Sequence, residues 1–321
     1  MNNKFLQRFF GLVRANSGLV ILFLVALPLS LLSADFLSGN NLLTVALQTS
    51  MIAIAAIGMT FALITGGVDL SVGSVAALTG VLAAGLATRN GLGTYPAIFV
   101  SLIAAALIGA LNGAMIAWGR IPPFVATLAS MAAVRGLTLV YTQGKPISGL
   151  DEQFTFWATD VAGIPVPLFV LLFVAIITYI ILHRSVFGNY IFAIGGGEET
   201  ARLAGISPTK IKFGVYIISA LAAGLTGLLL TARLWSAQPN SGTGLELDAI
   251  ASSVLGGASL LGGAGSVTGA IIGTFIIGIL ANGLNLLEVP SYNQQVIKGL
   301  VFIVAVILDY VLKRRLKNPG T

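Results

Sequence analysis

HRSVFGNYIFAIGGGEETARLAGISPTKIKF, residues 183–213, is a polar, glycine-broken stretch set between two long apolar runs. It carries Arg184, Glu198, Glu199, Arg202, Lys210 and Lys212 in a chain in which only 9% of residues are charged. Within it, Glu198 to Leu203 consists of good helix formers. Gly195, Gly196 and Gly197 stand in front, and Gly205 and Pro208 act as a stop behind. That pattern predicts a helix of about two turns lying outside the bilayer. Glu198 and Arg202 stand at i,i+4, a pair worth only ~0.3–0.5 kcal/mol, so such a helix is expected to be fixed mainly by whatever it touches.

The apolar runs on either side extend over most of the 321 residues. The chain is 56% hydrophobic with a mean hydropathy of +0.97. A soluble domain carries about 25% charged residues, so this composition reads as a membrane protein that crosses the bilayer many times. Its 39 glycines fit helices that approach through small residues. With no cysteine there is no disulfide framework, thiolate metal site or cysteine nucleophile. One histidine leaves little for an imidazole metal site or proton relay. The net charge of +6 would suggest nucleic acid in a soluble protein, but here its placement reports topology, and no nucleic acid is expected.

A helix needs about 20 apolar residues to cross a bilayer. Spans are expected near 18–33, 43–64, 70–88, 95–117, 123–141, 166–182, 213–235, 248–263, 267–287 and 295–312, ten in all. The first, with Lys4, Arg8 and Arg14 before it, resembles a signal peptide but is read as an uncleaved span. With the N-terminus in the cytoplasm, the inner side collects Lys4, Arg8, Arg14, Arg120, Arg184, Arg202, Lys210, Lys212, Lys313, Arg314, Arg315 and Lys317. These are twelve of the 17 cationic residues, as the positive-inside rule requires. Both termini and the stretch 183–213 are therefore expected in the cytoplasm. The chain reads as one all-α transmembrane domain, 1–321, a polytopic helix bundle.

An internal repeat is faintly visible. Asp69 and Asp248 are each followed by Ser-Val, and Gly109 to Gly113 resembles Gly278 to Gly283. It would relate spans 2–5 to spans 7–10 with opposite orientation, as in inverted-repeat transporters, although chance similarity of glycine-rich helices explains it equally well. Around Asp69 the sequence GGVDLSVGS (66–74) interrupts the apolar pattern. An isolated carboxylate at the centre of a span costs about 2.5–3.5 kcal/mol, so it faces protein or a water-filled cavity. It is either part of a broken helix beside a permeation path or an N-cap of the third span. Asp69, Ser71, Asn112, Thr127, Asp248, Ser252, Asn282 and Asn285 are the candidate path residues. Interhelical hydrogen bonding is the plain alternative for most of them.

Enzymatic apparatus is missing. No GxxxxGK[ST], HExxH or GxSxG run occurs, so catalytic residues, a metal site and a resident cofactor are not expected, and the chain cannot hydrolyse ATP by a P-loop. The few intramembrane acids also count against an ion-coupled secondary sugar carrier, the alternative reading.

The segments GGVDLSVGS (66–74), GRIPPFVATLASM (119–131), VYTQGKPISG (140–149), GNYIFAIGGGEETARLAGI (188–206), SAQPNSGTGLELDAIASSVLGGASLLGG (236–263) and ANGLNLLEV (281–289) together resemble the permease subunit of bacterial ribose-type ABC sugar importers. The resemblance is in order and covers nearly the whole chain. It implies a ten-span permease of the bacterial cytoplasmic (inner) membrane, working as a homodimer. A cytoplasmic ATPase with two fused nucleotide-binding modules and an extracytoplasmic sugar-binding protein would be its partners. It also implies that Glu198, Glu199, Thr200, Ala201, Arg202, Leu203, Ala204, Gly205 and Ile206 form the coupling helix that docks into the ATPase. Ribose fits best, while permeases for other monosaccharides and for the autoinducer-2 sugar share the motifs.

Overall fold

Inside a bilayer each backbone N–H and C=O must be bonded within the protein, which leaves apolar runs little alternative to helix. The computed structural model describes residues 17–317, which are helical apart from short connections and four two-residue strands. The basic N-terminal end with Lys4, Arg8 and Arg14 lies outside the described residues.

The first half comprises α1 (Ser17–Leu32), α2 (Gly39–Ile64), α3 (Val72–Thr88), α4 (Thr94–Ala117) and α5 (Pro123–Thr142). A connection follows with β1 (Ile147–Ser148), the one-turn α6 (Glu152–Thr155), β2 (Asp160–Val161) and β3 (Ile164–Pro165). Next come α7 (Val166–Arg184), α8 (Val186–Gly196), α9 (Glu198–Leu203), α10 (Pro208–Arg233) and β4 (Ser236–Ala237). The chain then forms α11 (Leu245–Leu255), α12 (Val267–Leu286) and α13 (Ser291–Lys317). The strand pairs β1–β4 and β2–β3 are antiparallel, with Ile147 opposite Ala237. Among the described residues, α2, α4, α5, α7, α10 and α12 are long and apolar enough to cross a membrane.

Two helices form the core. Every residue from Ala53 to Ile64 of α2 is buried, as expected of a helix that is apolar all round. It packs on α10, which in turn lies against α3 and α4. Contact is at backbone distance. A Cβ on Gly227 of α10 would stand 1.9 Å from the Ala76 carbonyl oxygen of α3, and one on Gly256 would stand 2.0 Å from that of Gly269. Such approaches through small residues are how helices gain packing where lipid supplies no hydrophobic drive. The outer helices instead present apolar stripes. On α4, Tyr95, Phe99, Ile103, Leu107 and Leu111 recur every four residues and are exposed, a face suited to lipid.

Of the two glycine-rich spans, the third forms where expected behind a non-helical lead, and the eighth is broken. The third begins at Val72, and 65–71 before it is not regular helix. The eighth, expected over 248–263, is helical only from Leu245 to Leu255, about 16 Å, too short to cross. Its second half, GGASLLGGAGS (256–266), is an irregular segment with Gly257, Gly262 and Gly263 at positive φ, backbone that side chains rarely adopt. The starts of α3 and α11 abut, since a Cβ on Gly73 would meet the Gly242 carbonyl oxygen at 2.2 Å.

Candidate functional site

The stretch 183–213 is more helical than its glycines suggest. Helix α7 runs on to Arg184, and Ser185 accepts the Gly188 N–H at 3.1 Å to start α8, which is apolar and partly buried rather than a polar loop. Helix α9 occupies the expected Glu198–Leu203. Gly205, at φ +84°, ends it, with the Ile206 N–H reaching back to the Ala201 carbonyl oxygen at 3.0 Å. Ala201 is the residue of α9 that turns inward, while Glu199, Thr200, Arg202 and Leu203 face out.

The expected Glu198–Arg202 pair is not formed. Arg202 pairs with Glu199 one turn back, and Glu198 accepts from Lys212 of α10 at 2.5 Å. The second pair ties α9 to its own bundle, so the helix is held by more than a docking partner. Leu203, 81% exposed, stands at the tip of this charged helix. A cavity of about 320 Å³ separates α9 from the turn between α4 and α5, lined by Ile116, Arg120, Pro122, Glu198, Arg202 and Lys212 among others. The end of α8 packs on the end of α2, where Ile64 accepts the Gly263 N–H at 2.9 Å and Gly195 leaves no room for a side chain.

The second cluster fills the break before α3. Asp69 is completely buried and accepts three hydrogen bonds, from the Ser71 N–H (3.0 Å), the Ser71 hydroxyl (2.6 Å) and the Ser219 hydroxyl of α10 (2.7 Å). Asn112 of α4 donates to the Ser71 oxygen at 2.9 Å, and Tyr216 reaches the Val68 carbonyl at 3.4 Å. Asp69 therefore does not cap the first turn of α3 from its side chain. It knots the non-helical segment to α10 and, through Ser71, to α4. Buried polar groups need such partners. Thr127 joins from α5, bonding the Pro123 carbonyl at 2.8 Å and the Val68 carbonyl at 3.3 Å.

The other candidate path residues are scattered. Asn282 of α12 exchanges two amide hydrogen bonds with Asn41 of α2, at 3.0 and 2.8 Å, and Asn285 accepts from Gln294 at 2.8 Å. These are helix-to-helix ties, the plainer reading of those amides. Ser252 is buried on α11 with its hydroxyl unpartnered. Asp248 pairs with Lys298 of α13 at 3.1 Å. Ser219, Tyr216 and Gln294 escape a reading of the sequence, because serine, tyrosine or glutamine in a helix carries no periodic mark. Asp248 and Lys298 carry a legible one, as the opposite charges of neighbouring spans.

Residues 41–306 match the sequence family described as "Branched-chain amino acid transport system / permease component". The chain is 43% identical over 94% of both chains to the ribose import permease protein RbsC of Haemophilus influenzae, and 44% identical to that of Escherichia coli K12 over 93% of this chain and 94% of the relative. It is 37% identical to the D-allose transport system permease protein AlsC of E. coli K12, over 92% and 91%. No solved structure matches the chain.

Proposed function

From its membership of the family of permease components of branched-chain amino acid transport systems, we infer that the chain is the membrane permease of an ATP-driven importer of a monosaccharide, with ribose the first candidate. The observation that carries the substrate is the 43–44% identity to ribose import permeases over more than nine-tenths of both chains. Identities of 37% and 33% to permeases for D-allose and xylose keep the class at monosaccharides. A permease component is not itself the ATPase, so hydrolysis belongs to a separate subunit, and an extracytoplasmic binding protein delivers the sugar.

Helix α9 is the surface offered to that ATPase, with residues 198–206 as the coupling element in a cytoplasmic loop. Its support is geometric. A short charged helix with exposed Leu203 stands over a cavity flanked by Arg120 and Arg202, and its Glu198–Lys212 pair fixes it to the start of α10. When the ATPase modules close on ATP, a helix so anchored passes their motion to α10, and thence to α2, α3 and α4. The buried Asp69 knot sits where α10 meets the break before α3, as part of the moving core.

A second copy is expected beside α13, whose exposed Tyr292, Val296, Leu300, Ile303 and Ile307 form an apolar stripe along the helix. Two helices that each follow a non-helical lead, and whose starts meet at Gly73 and Gly242, favour an inverted relation between α2–α5 and α10–α13. An experimental structure in which those two halves fail to superpose after a half-turn in the membrane plane would remove that relation.

The function is tested in vesicles containing the permease together with an ATPase and a sugar-binding protein of the same importer. Labelled ribose should accumulate only with ATP and with the binding protein present. Leu203→Asp should leave the permease folded but cut uptake at least tenfold. Accumulation by the permease alone under an ion gradient would instead establish a secondary carrier.

A further inference from the structure

Asp248 and Lys298 are opposite charges within the bundle, on helices that meet in few other places. Lys298 lies seven residues inside α13 from Ser291, a depth of about 10 Å along the helix. Asp248 lies one turn into α11, a helix whose Ser253 reaches the Ala56 carbonyl of buried α2. Their separation is 3.1 Å, and their side chains remain 24% and 30% accessible. The accessible part faces a cavity of about 390 Å³. Thr243, Asp248, Gln295 and Lys298 supply its polar lining, and Ile277 and Phe302 its apolar wall. Pockets that hold small molecules measure roughly 300–1,000 Å³ and combine an apolar wall with a few convergent polar groups.

Each part has a plainer use that falls short. An ion pair kept only to hold α11 on α13 would be matched in stability by apolar residues, which pack without a desolvation cost. This one is open to the cavity, and ionisable groups in a membrane mark pathways more often than joints.

We propose that the Asp248–Lys298 cavity is a low-affinity subsite for a neutral monosaccharide on its way through the permease. The carboxylate accepts from two adjacent sugar hydroxyls, the ammonium donates to a hydroxyl oxygen, and Thr243 and Gln295 complete the polar rim. Phe302 and Ile277 take the apolar C–H face of the sugar. Because the two charges cancel, the site attracts no ion and holds a polyol by directional hydrogen bonds alone. A permeating solute needs binding of that kind, weak enough to leave. This subsite rests on the reading of the chain as a monosaccharide permease.

The sequence contains no cysteine, so a single thiol placed at Thr243 reports this cavity without background. The experiment uses the Thr243→Cys permease in its full complex with ATPase, reconstituted in vesicles, and a small water-soluble thiosulfonate reagent. Labelling should proceed, and D-ribose at tens of millimolar should slow it at least threefold, while a trisaccharide too large to enter should not. In the same background the double variant Asp248→Asn, Lys298→Gln should label as before but lose protection by ribose. Protection that persists in the double variant, or labelling that ribose never slows, overturns the subsite. The parent reading has a separate readout. ATP-driven ribose uptake by the unmodified complex with no ribose protection sinks the subsite alone. Absence of uptake for ribose, D-allose and xylose sinks both.

Discussion

Asp69 shows how much one buried side chain can hold. Its carboxylate carries three donors, and through Ser71 a fourth residue, Asn112, is placed. Asp69→Ala leaves the Ser71 and Ser219 hydroxyls without an acceptor in a site closed to water. Each buried donor left unsatisfied costs about 1–3 kcal/mol, and here there are several. Ser219→Ala removes one donor and leaves two, at a cost of about 1.5–3 kcal/mol. Thermal unfolding of the purified permease in detergent should therefore fall further for Asp69→Ala than for Ser219→Ala, and equal losses would show that the carboxylate is not the hub. The presence of a special residue here was legible, because a lone acid among glycines interrupts an apolar run. Its partners were not. Ser219 looks like any small residue of α10, and only the fold brings positions 150 residues apart to 2.7 Å.

At the scale of elements, helices with a strong local signal formed where expected. Glu198–Leu203 has helix formers between glycine stops, and α9 keeps those bounds. The span expected over 248–263 did not survive, because hydropathy counts apolar residues without asking whether their backbone is helical. Its Gly-Gly pairs at 256–257 and 262–263 supply the positive φ angles that end a helix and turn the chain toward α12. Glycine thus has opposite meanings in one protein, and substitution separates them. Gly227 faces the Ala76 carbonyl at a distance no side chain fits, so Gly227→Ala must push α10 off α3, an overpacking cost of about 1–3 kcal/mol. Gly136, inside α5 with open space around it, should accept alanine and gain about 0.5–1 kcal/mol from helix propensity. The two melting shifts should have opposite signs. A loss at both positions would mean that α5 packs on another surface in the membrane, and a gain at both would deny the contact between α3 and α10.

For the whole molecule, orientation follows from charge that the fold concentrates at one end. Arg120, Arg202, Lys210 and Lys212 all lie near α9, together with the turn between α4 and α5 and the end of α2. The opposite end carries the β1–β4 pair and Asp151, which caps α6 and accepts from Thr94 at 2.6 Å. Positive charge is retained on the cytoplasmic side, so α9 should face the cytoplasm and α6 the exterior. That count of charges was available from the sequence. What it lacked was the knowledge that α11 is only half a span, continued by the irregular segment 256–266. The orientation is checked with single thiols in the cysteine-free chain. Gln153→Cys, exposed on α6, should react with a membrane-impermeant maleimide added to spheroplasts. Lys210→Cys, exposed beside α9, should react only after the membrane is opened. The reverse pattern would turn α9 away from any cytoplasmic ATPase and remove the basis for coupling through it. Reaction of both in sealed spheroplasts would mean that an even number of crossings lies between them, so that α7 is not a single crossing, and the ten-crossing count would fall with it.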